Sequence, residues 1–409
     1  MITIKKLLSI PTNVWIILFG TFLINAAYWM SWPFLAMILH SKYHLSSSMI
    51  GAALSFPLAF STIFGIYLGN IADKIGRSKI MIIGCFLSFC AYIIFAYAET
   101  LSLYMVAIWL ANIGRSILEP ASKSIFGDIV ISENRASCQQ LRYFFVNLGA
   151  AIGPLCVAYI GLAAKQVTFL ITAIAYVIYA LLLVLIFISQ KNSSTSVQHK
   201  NQTSFYETLS ILKSDHKFLL LILMNVLLWI VFAQFESSIA IYLSQLNNQS
   251  SAKILSIILF TNTMSVITLQ FPLLRIVKNL SLNYRISLSI IILAISQLMF
   301  AHAVSQTLSA WVAATIIFSI AEVLLVPSIS IQIDQMAPDH LRGSYFAASF
   351  VYRLGFGAYL GGALMQYVGA QNMYIFMFFI AFMTLLIYQI SSSQLKNCNT
   401  QEKNHEILS

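Results

Sequence analysis

Six charged side chains lie within long apolar stretches of this sequence, where ionised groups are uncommon. They are Arg115, Glu119, Arg142, Glu236, Glu322 and Arg353. A charged group at the centre of a membrane-spanning helix costs about 2.5–3.5 kcal/mol, so such groups are expected to face protein or water and to pair with one another. Three of the six are positive and three are negative, which suits mutual neutralisation. The chemistry that they could support is the recognition of a charged substrate or the carriage of a proton.

Arg115 and Glu119 are four residues apart, which places both side chains on one face of a helix. Two interpretations stay open. In the first, the two charges form an ion pair that neutralises itself and locks the helix. In the second, Arg115 presents a fixed positive charge to a substrate, or to a carboxylate that cycles a proton.

Glu236 is the carboxylate for which we predict proton exchange. It lies beside Gln234 and Phe235 in an apolar stretch, and the nearest basic residues in the sequence are Lys217 and Lys253. An isolated carboxylate in apolar surroundings favours its protonated form, so burial would allow Glu236 to bind and release a proton during a cycle. The alternative is a gate residue or a solvated residue of a cavity.

Three more cavity candidates are Arg353, Asn25 and Trp29, whereas Arg142 is predicted to lie outside the cavity. Arg353 lies near the middle of its apolar stretch, next to Tyr352. Asn25 and Trp29 are one helical turn apart in the first stretch and are predicted to line the cavity. Arg142 comes one turn into its stretch, so its side chain is predicted to extend to the membrane interface.

The elements that must position these side chains are membrane-spanning helices, since about 20 apolar residues cross the roughly 30 Å hydrocarbon core. The chain has 409 residues, 59% hydrophobic and 9% charged, against about 25% charged in average globular domains. The predicted spans are 14–40, 49–69, 79–98, 101–127, 139–162, 166–189, 218–244, 251–272, 285–303, 306–331, 342–368 and 372–391. The predicted class is an all-α membrane protein with twelve transmembrane helices.

The Lys and Arg residues lie mostly in the breaks on one side of these spans, which predicts that this side, both termini included, is cytoplasmic. The same distribution argues against nucleic-acid binding, although the net charge is +10. The predicted organisation is an N-terminal six-helix bundle over 1–189, a flexible cytoplasmic linker over 190–217, a C-terminal six-helix bundle over 218–391 and a polar cytoplasmic tail over 392–409, expected to lack regular structure.

The two predicted bundles repeat one another. A shift of 207 residues lays the segment 119–137 on the segment 326–344, with a proline and an arginine matched in both. The same shift places Arg115 on Glu322, which predicts a charge pair across a shared cavity or a site for a zwitterionic substrate. The charged residues avoid the cores of every third span, so these spans are predicted to face lipid. Repeated halves around a central site are typical of transporters.

The loop after the second predicted span carries Gly69, Asp73, Gly76 and Arg77. A glycine there permits close helix packing, and the acid can cap a neighbouring helix. The loop resembles the signature of the major facilitator superfamily, G-x-x-x-D-x-x-G-R-[RK], with Ser78 where a second basic residue is usual. The resemblance covers residues 13–392. It implies the major facilitator fold, with two pseudo-symmetric six-helix bundles.

The fifth predicted span carries Gly149, Gly153 and Pro154. The glycines allow two helices to touch, and the proline bends the helix. The segment resembles the antiporter motif of exporters in that superfamily, G-x-x-x-G-P-x-x-G-G, with Cys156 and Val157 in place of the last two glycines. The chain as a whole resembles bacterial twelve-span drug:proton antiporters.

These observations predict a secondary active transporter of the bacterial inner membrane, which exports a small organic molecule in exchange for protons by alternating access. The alternatives are uptake or export of a specific metabolite, such as an amino acid, a peptide or a siderophore, and a membrane sensor or channel without transport. We expect no enzymatic activity, no metal and no cofactor, with the proton gradient as the energy source. The expected partners are a small-molecule substrate, protons and the lipid bilayer, with no nucleic acid, and the expected state is a monomer.

Overall fold

The computed structural model describes residues 11–75, 77–125, 132–160, 165–191, 205–246, 250–304, 307–337, 345, 348–349 and 356–408. Every regular element within these ranges is helical. The α-helices, numbered in chain order, are α1 (Thr12–Ser31), α2 (Leu35–Tyr43), α3 (Ser47–Ile75), α4 (Arg77–Tyr97), α5 (Leu101–Ser124), α6 (Ser132–Ile160), α7 (Gln166–Lys191), α8 (Phe205–Ser214), α9 (His216–Glu236), α10 (Ser238–Gln245), α11 (Ser251–Ile276), α12 (Leu282–Ala303), α13 (Leu308–Met336) and α14 (Phe356–Leu408). Short 3₁₀ helices at Trp32–Phe34 and Val277–Asn279 follow α1 and α11.

These helices follow most of the predicted spans closely. Among the described residues, nine helical segments are long and apolar enough to cross a membrane, and two shorter apolar helices lie at Ser47–Ile63 and Leu141–Val157. One of the nine, Phe356–Ile390, is interrupted at Gly369, where φ is 83° and ψ is 162°. A residue without a Cβ tolerates this positive φ, and the interruption falls between the last two predicted spans. The chain is an all-α, multi-pass membrane protein.

Two spans are broken at matching places that the sequence did not predict. The first span breaks at Ser31, with φ −115° and ψ −47°, and the seventh breaks at Ser237, with φ −111° and ψ −53°. Pro33 follows the first break and removes a backbone donor from the helix. The separation of the two serines is within one residue of the 207-residue repeat, so the repeat is also present in the backbone.

Two segments predicted to be irregular contain helix. The predicted linker includes α8, in which Phe205, Leu209 and Leu212 recur at helical spacing. The polar residues that flank α8 obscured this pattern. The tail predicted to begin at Ser392 continues α14 as far as Leu408.

The chain forms two compact units. Unit 1 comprises Met1–Gln198, Glu236–Ile267 and Leu354–Ala363, and unit 2 comprises His199–Phe235, Thr268–Arg353 and Leu364–Ser409. Unit 1 therefore contains the first predicted bundle together with two segments from the second half of the sequence.

Glycines allow close helix packing in unit 1, where α1 packs on α6 and α7, and α4 packs on α5 and α7. A Cβ added to Gly114 of α5 would lie 2.9 Å from the carbonyl oxygen of Gly84 in α4. A Cβ added to Gly149 of α6 would lie 2.7 Å from the carbonyl oxygen of Phe22 in α1. On α7, large apolar side chains such as Leu181 are exposed, as expected of a lipid-facing span.

The two segments from the second half of the sequence pack on the first half within unit 1. Helix α10 packs on α2, and the first turns of α14 pack on α3. The Gln245 Nε2 donates a hydrogen bond to Ser47 Oγ. The Tyr359 backbone N–H donates to Ser55 Oγ at 2.8 Å.

The α3–α14 contact is formed by glycines and backbone. A Cβ added to Gly51 of α3 would lie 2.5 Å from the carbonyl oxygen of Ala358 and 3.0 Å from Tyr359 Cα. A Cβ added to Gly362 of α14 would collide with the carbonyl oxygen of Ser47. The two helices thus touch at a distance that only glycine permits.

Unit 2 has an aromatic core. The Phe235 and Phe318 rings stack with their centroids 4.6 Å apart, and the centroid of Phe300 is 5.5 Å from that of Tyr374. Helix α12 packs on α13 beside this core.

Candidate functional site

Arg115 of α5 lies over the face of Tyr28 of α1, and this pair is the centre of the candidate site in unit 1. The guanidinium carbon is 3.6 Å from the centroid of the Tyr28 ring, well within the range of about 6 Å for a cation–π interaction. The Tyr28 ring also stacks on Trp32, with centroids 5.4 Å apart and planes 16° apart, and meets Trp29 edge-on at 5.8 Å. All four side chains are half-buried.

The break in the first span lies within this aromatic group. Tyr28 and Trp32 are one helical turn apart, on either side of Ser31. The Ser31 hydroxyl lies 3.1 Å from the Ala27 carbonyl oxygen and 3.2 Å from that of Tyr28, and it can donate a hydrogen bond to either. The helical turn is thereby retained where the backbone departs from ideal dihedrals, and the two rings stay on one face.

Two predicted carboxylates lie close to this pair. Glu119 is one turn beyond Arg115 on α5 and interacts with it electrostatically. Glu236 lies within electrostatic range of Tyr28. The structure therefore brings Arg115, Glu119 and Glu236, which the sequence selected separately, to the same aromatic group.

Glu236 differs from its prediction in one respect, because its side chain is exposed and not buried. It is the last residue of α9, and the helical geometry is interrupted at the next residue, Ser237. Gln234 and Phe235 take the buried positions at this end of the helix. The apolar neighbours that suggested burial for Glu236 are packed inside, while its own side chain lies at the surface.

Two buried tyrosines within electrostatic range of Arg115 were not predicted from the sequence. Tyr92 of α4 and Tyr176 of α7 stack on each other with centroids 5.6 Å apart, and both interact electrostatically with Arg115. They belong to spans three and six, which the charge pattern assigned to lipid contact. A phenol within an apolar stretch was the available signal, because a buried Tyr hydroxyl needs a polar neighbour.

Three predicted cavity residues remain. Asn25 is buried, and its Nδ2 donates to the Thr21 carbonyl oxygen at 2.7 Å, so its amide satisfies its own helix. Glu322 is half-buried on α13 in unit 2, and Arg353 lies outside the described residues. The predicted pairing of Arg115 with Glu322 stays a prediction.

The prediction that the Arg142 side chain extends to the membrane interface is wrong, because the residue is buried. Its Nη2 donates to Ser122 Oγ at 2.8 Å. The reason is that α6 begins at Ser132, earlier than the predicted span, which places Arg142 several turns inside the helix.

The motif residues divide into two groups. In the loop motif, Gly69 and Asp73 lie on α3, and Arg77 is the first residue of α4. The structure describes only the backbone of these three residues, and Gly76 lies outside the described residues. Gly149, Gly153 and Pro154 lie buried in α6.

The two α6 glycines are packed against α1 directly beside the site. A Cβ on Gly153 would collide with the carbonyl oxygen of Ala26 and lie 3.1 Å from Trp29 Cβ. The motif segment therefore supports the turn of α1 that carries the aromatic group. Across the described residues, no group of three or more His, Cys, Asp or Glu side chains is arranged to hold a metal ion.

The sequence is similar to a family of membrane transporters. A model of the Major Facilitator Superfamily (MFS) matches residues 17–356. The uncharacterized MFS-type transporter YqjV of Bacillus subtilis (strain 168) is 30% identical over 378 residues, which cover 91% of each chain. A Na(+), Li(+), K(+)/H(+) antiporter of Planococcus maritimus is 26% identical over 370 residues, covering 83% of this chain and 85% of the relative.

Solved structures share the fold at lower identity. A POT family transporter in complex with a thioalcohol conjugated peptide aligns with a TM-score of 0.78 and 16% identity, covering 94% of this chain and 96% of the other. The nucleoside transporter NupG aligns with a TM-score of 0.71 and 14% identity, covering 93% and 99%.

Proposed function

Because the chain belongs to the major facilitator superfamily and is a membrane transporter rather than an enzyme, we propose that it is a proton-coupled antiporter that exports a small organic molecule by alternating access. We place it in the bacterial cytoplasmic membrane, with both termini in the cytoplasm. The observation that carries the proposal is the Arg115–Tyr28 pair, a fixed charge over an aromatic ring inside a membrane protein, with Glu119 and Glu236 within electrostatic range of it.

The site suits a substrate that combines an apolar ring with charged groups. The exposed parts of Trp29 and Trp32 can pack against a planar apolar group. Arg115 can bind an anionic group, and Glu236 can bind a cationic one. Drug-like molecules and zwitterionic metabolites both meet this description.

Glu236 is the proposed proton carrier. Its exposed side chain can exchange a proton, and it lies within electrostatic range of Tyr28 in the proposed substrate site. A proton and a cationic group of the substrate would compete for this carboxylate, which is a simple way to couple two opposed fluxes. The name of the Planococcus maritimus relative, which includes proton antiport, supports this direction of coupling.

Glu236→Gln, which mimics the protonated carboxyl group, is expected to abolish accumulation driven by a pH gradient while sparing substrate binding and passive exchange. The measurement is uptake into proteoliposomes with and without an imposed pH gradient. Glu99→Gln, an exposed carboxylate between α4 and α5, is the matched control and should behave as the unmodified protein. Wild-type accumulation by Glu236→Gln would make Glu236 structural and transfer the role to Glu119 or Glu322.

Two other functions have specific support. Exchange of monovalent cations for protons is suggested by the same relative, and transport of a specific metabolite by the charge pattern of the site. Proteoliposomes with an internal pH probe should be challenged in turn with aromatic cations, amino acids, peptides, siderophores and Na⁺, K⁺ or Li⁺. The class of compound whose addition changes the internal pH is the substrate class. A response to Na⁺, K⁺ or Li⁺ alone would show that the substrate is a monovalent cation and not an organic molecule. No response to any class would favour a sensor or channel.

A further inference from the structure

The middle of α11 carries polar side chains on a face that the surrounding protein only partly covers. Thr261, Asn262 and Ser265 are half-buried there, and all three belong to unit 1, as do Arg115 and Tyr28. Ser265 is four residues after Thr261 and three after Asn262, so the three side chains are neighbours on the helix surface. These three residues form the polar face of α11.

The opposite face of the same helix is packed against the protein and is mainly apolar. Its buried residues include Leu255, Leu259, Thr263 and Val266. The Thr263 hydroxyl donates to the Leu259 carbonyl oxygen at 3.0 Å, so it is satisfied by its own helix. The middle of α11 therefore turns apolar side chains toward the protein and polar ones away from it, which is the reverse of the pattern expected for contact with lipid.

A span of this protein that does face lipid shows the expected pattern. Every exposed position of α7 between Ile171 and Leu185 carries an apolar side chain. In contrast, the segment formed by α11 has the smallest buried share of the nine span-length segments among the described residues, and polar groups lie in its half-buried middle. The polar face of α11 is therefore not a lipid-facing surface.

Asn262 gives the strongest reason for polar surroundings at this depth. A hydroxyl group can return its hydrogen bond to a carbonyl of its own helix. An Asn amide has two N–H donors and a carbonyl oxygen, which one backbone carbonyl does not satisfy. Polar side chains in the middle of a span face the protein interior or a water-filled cavity, and transporters bind substrate near this level.

We propose that the polar face of α11 lines the substrate path and binds a neutral polar group of the substrate, such as a hydroxyl or a carboxamide. The inference rests on the proposed transport of a small organic molecule and narrows its substrate class. Arg115 and Glu236 would bind charged groups, and Trp29 and Trp32 an apolar ring. The hydroxyl and amide groups of α11 both donate and accept, which matches an uncharged hydrogen-bonding group.

The first test measures whether the polar face of α11 meets water. Thr261→Cys, Asn262→Cys and Ser265→Cys are made in full-length protein whose five native cysteines are replaced by alanine, and a charged methanethiosulfonate reagent is applied in proteoliposomes. The reagent reacts with the thiolate, whose formation is disfavoured in apolar surroundings. We expect these cysteines to react at least about tenfold faster than Thr263→Cys on the packed face or Leu181→Cys on the lipid-facing side of α7.

The second test measures selection by equilibrium binding of tyramine and phenethylamine, aromatic amines that differ by one hydroxyl group, to the purified full-length protein. One hydrogen bond corresponds to a preference of about fivefold for tyramine. Asn262→Leu and Ser265→Ala should each reduce this preference by weakening tyramine binding alone. Thr263→Val, the matched control on the packed face, should keep it.

Slow labelling of all three cysteines, equal affinity for the two amines or no binding of either amine would overturn the inference. Neither readout depends on proton exchange, so such a failure would leave the proposed antiport intact. Rapid labelling and selective binding without proton exchange would support the α11 site and count against the antiport alone.

Discussion

Replacing Arg115 with glutamine is expected to reduce transport by about tenfold or more, the largest loss from any single change in the site. Arg115 contributes both the fixed charge and the face-on contact with Tyr28, and a desolvated cation–π contact contributes about 2 kcal/mol. The measurement is the initial rate of substrate exchange in proteoliposomes, normalised to the amount of folded protein.

Two further variants separate the charge from the geometry. Arg115→Lys keeps the positive charge but loses the planar guanidinium, so an intermediate rate is expected. The double variant Arg115→Gln/Glu119→Gln removes both charges of the helical pair, and should recover thermal stability without recovering transport. If the double variant regained transport, or if Arg115→Gln transported normally, the pair would be the self-neutralising lock that the sequence left open.

Replacing Gly51 with valine is the second change for which we expect a severe loss of transport. The new Cβ would lie 2.5 Å from the Ala358 carbonyl oxygen, too close to accommodate without separating α3 from α14. The hydrogen bond from the Tyr359 N–H to Ser55 Oγ would be lost with it. If alternating access requires this contact to form in each cycle, the rate should fall by an order of magnitude or more.

The outcome can be checked by labelling as well as by transport. A cysteine at Ser55 should react with a water-soluble thiol reagent much faster in the Gly51→Val protein than in the parent. Gly51→Ala should give a smaller effect, and Ala59→Val, two turns further along α3, should give none. Normal transport by Gly51→Val with unchanged labelling would mean that the contact is not part of the cycle.

The helices were largely predictable because the signal for a membrane span is strong and local. A run of apolar residues long enough to cross the bilayer has few alternatives, so α5 and α12 follow their predicted spans closely. The breaks at Ser31 and Ser237 were not predictable, since the apolar pattern continues through both. Helix α8 was missed because its short apolar pattern lies in a polar segment.

The charged residues of the site could be predicted from the sequence, but the residues packed around them could not. Arg115, Glu119 and Glu236 were found because ionised groups within apolar stretches are costly and therefore selected for a purpose. Tyr92 and Tyr176 were not found, because burial within the bundle depends on which face of a helix meets its neighbours. Arg142 was misjudged because its depth depends on the start of α6, and helix ends are the least certain feature of a sequence.

The α3–α14 contact has a consequence for how the transporter responds to acidity. Its parts are the glycines Gly51 and Gly362, the backbone carbonyl groups of Ser47 and Ala358, the Ser55 hydroxyl group and the Tyr359 backbone amide. None of these groups gains or loses a proton between mild acid and mild base. The strength of this contact is therefore the same in mild acid and in mild base, so acidity would act on the proposed cycle through the carboxylates and not through this contact.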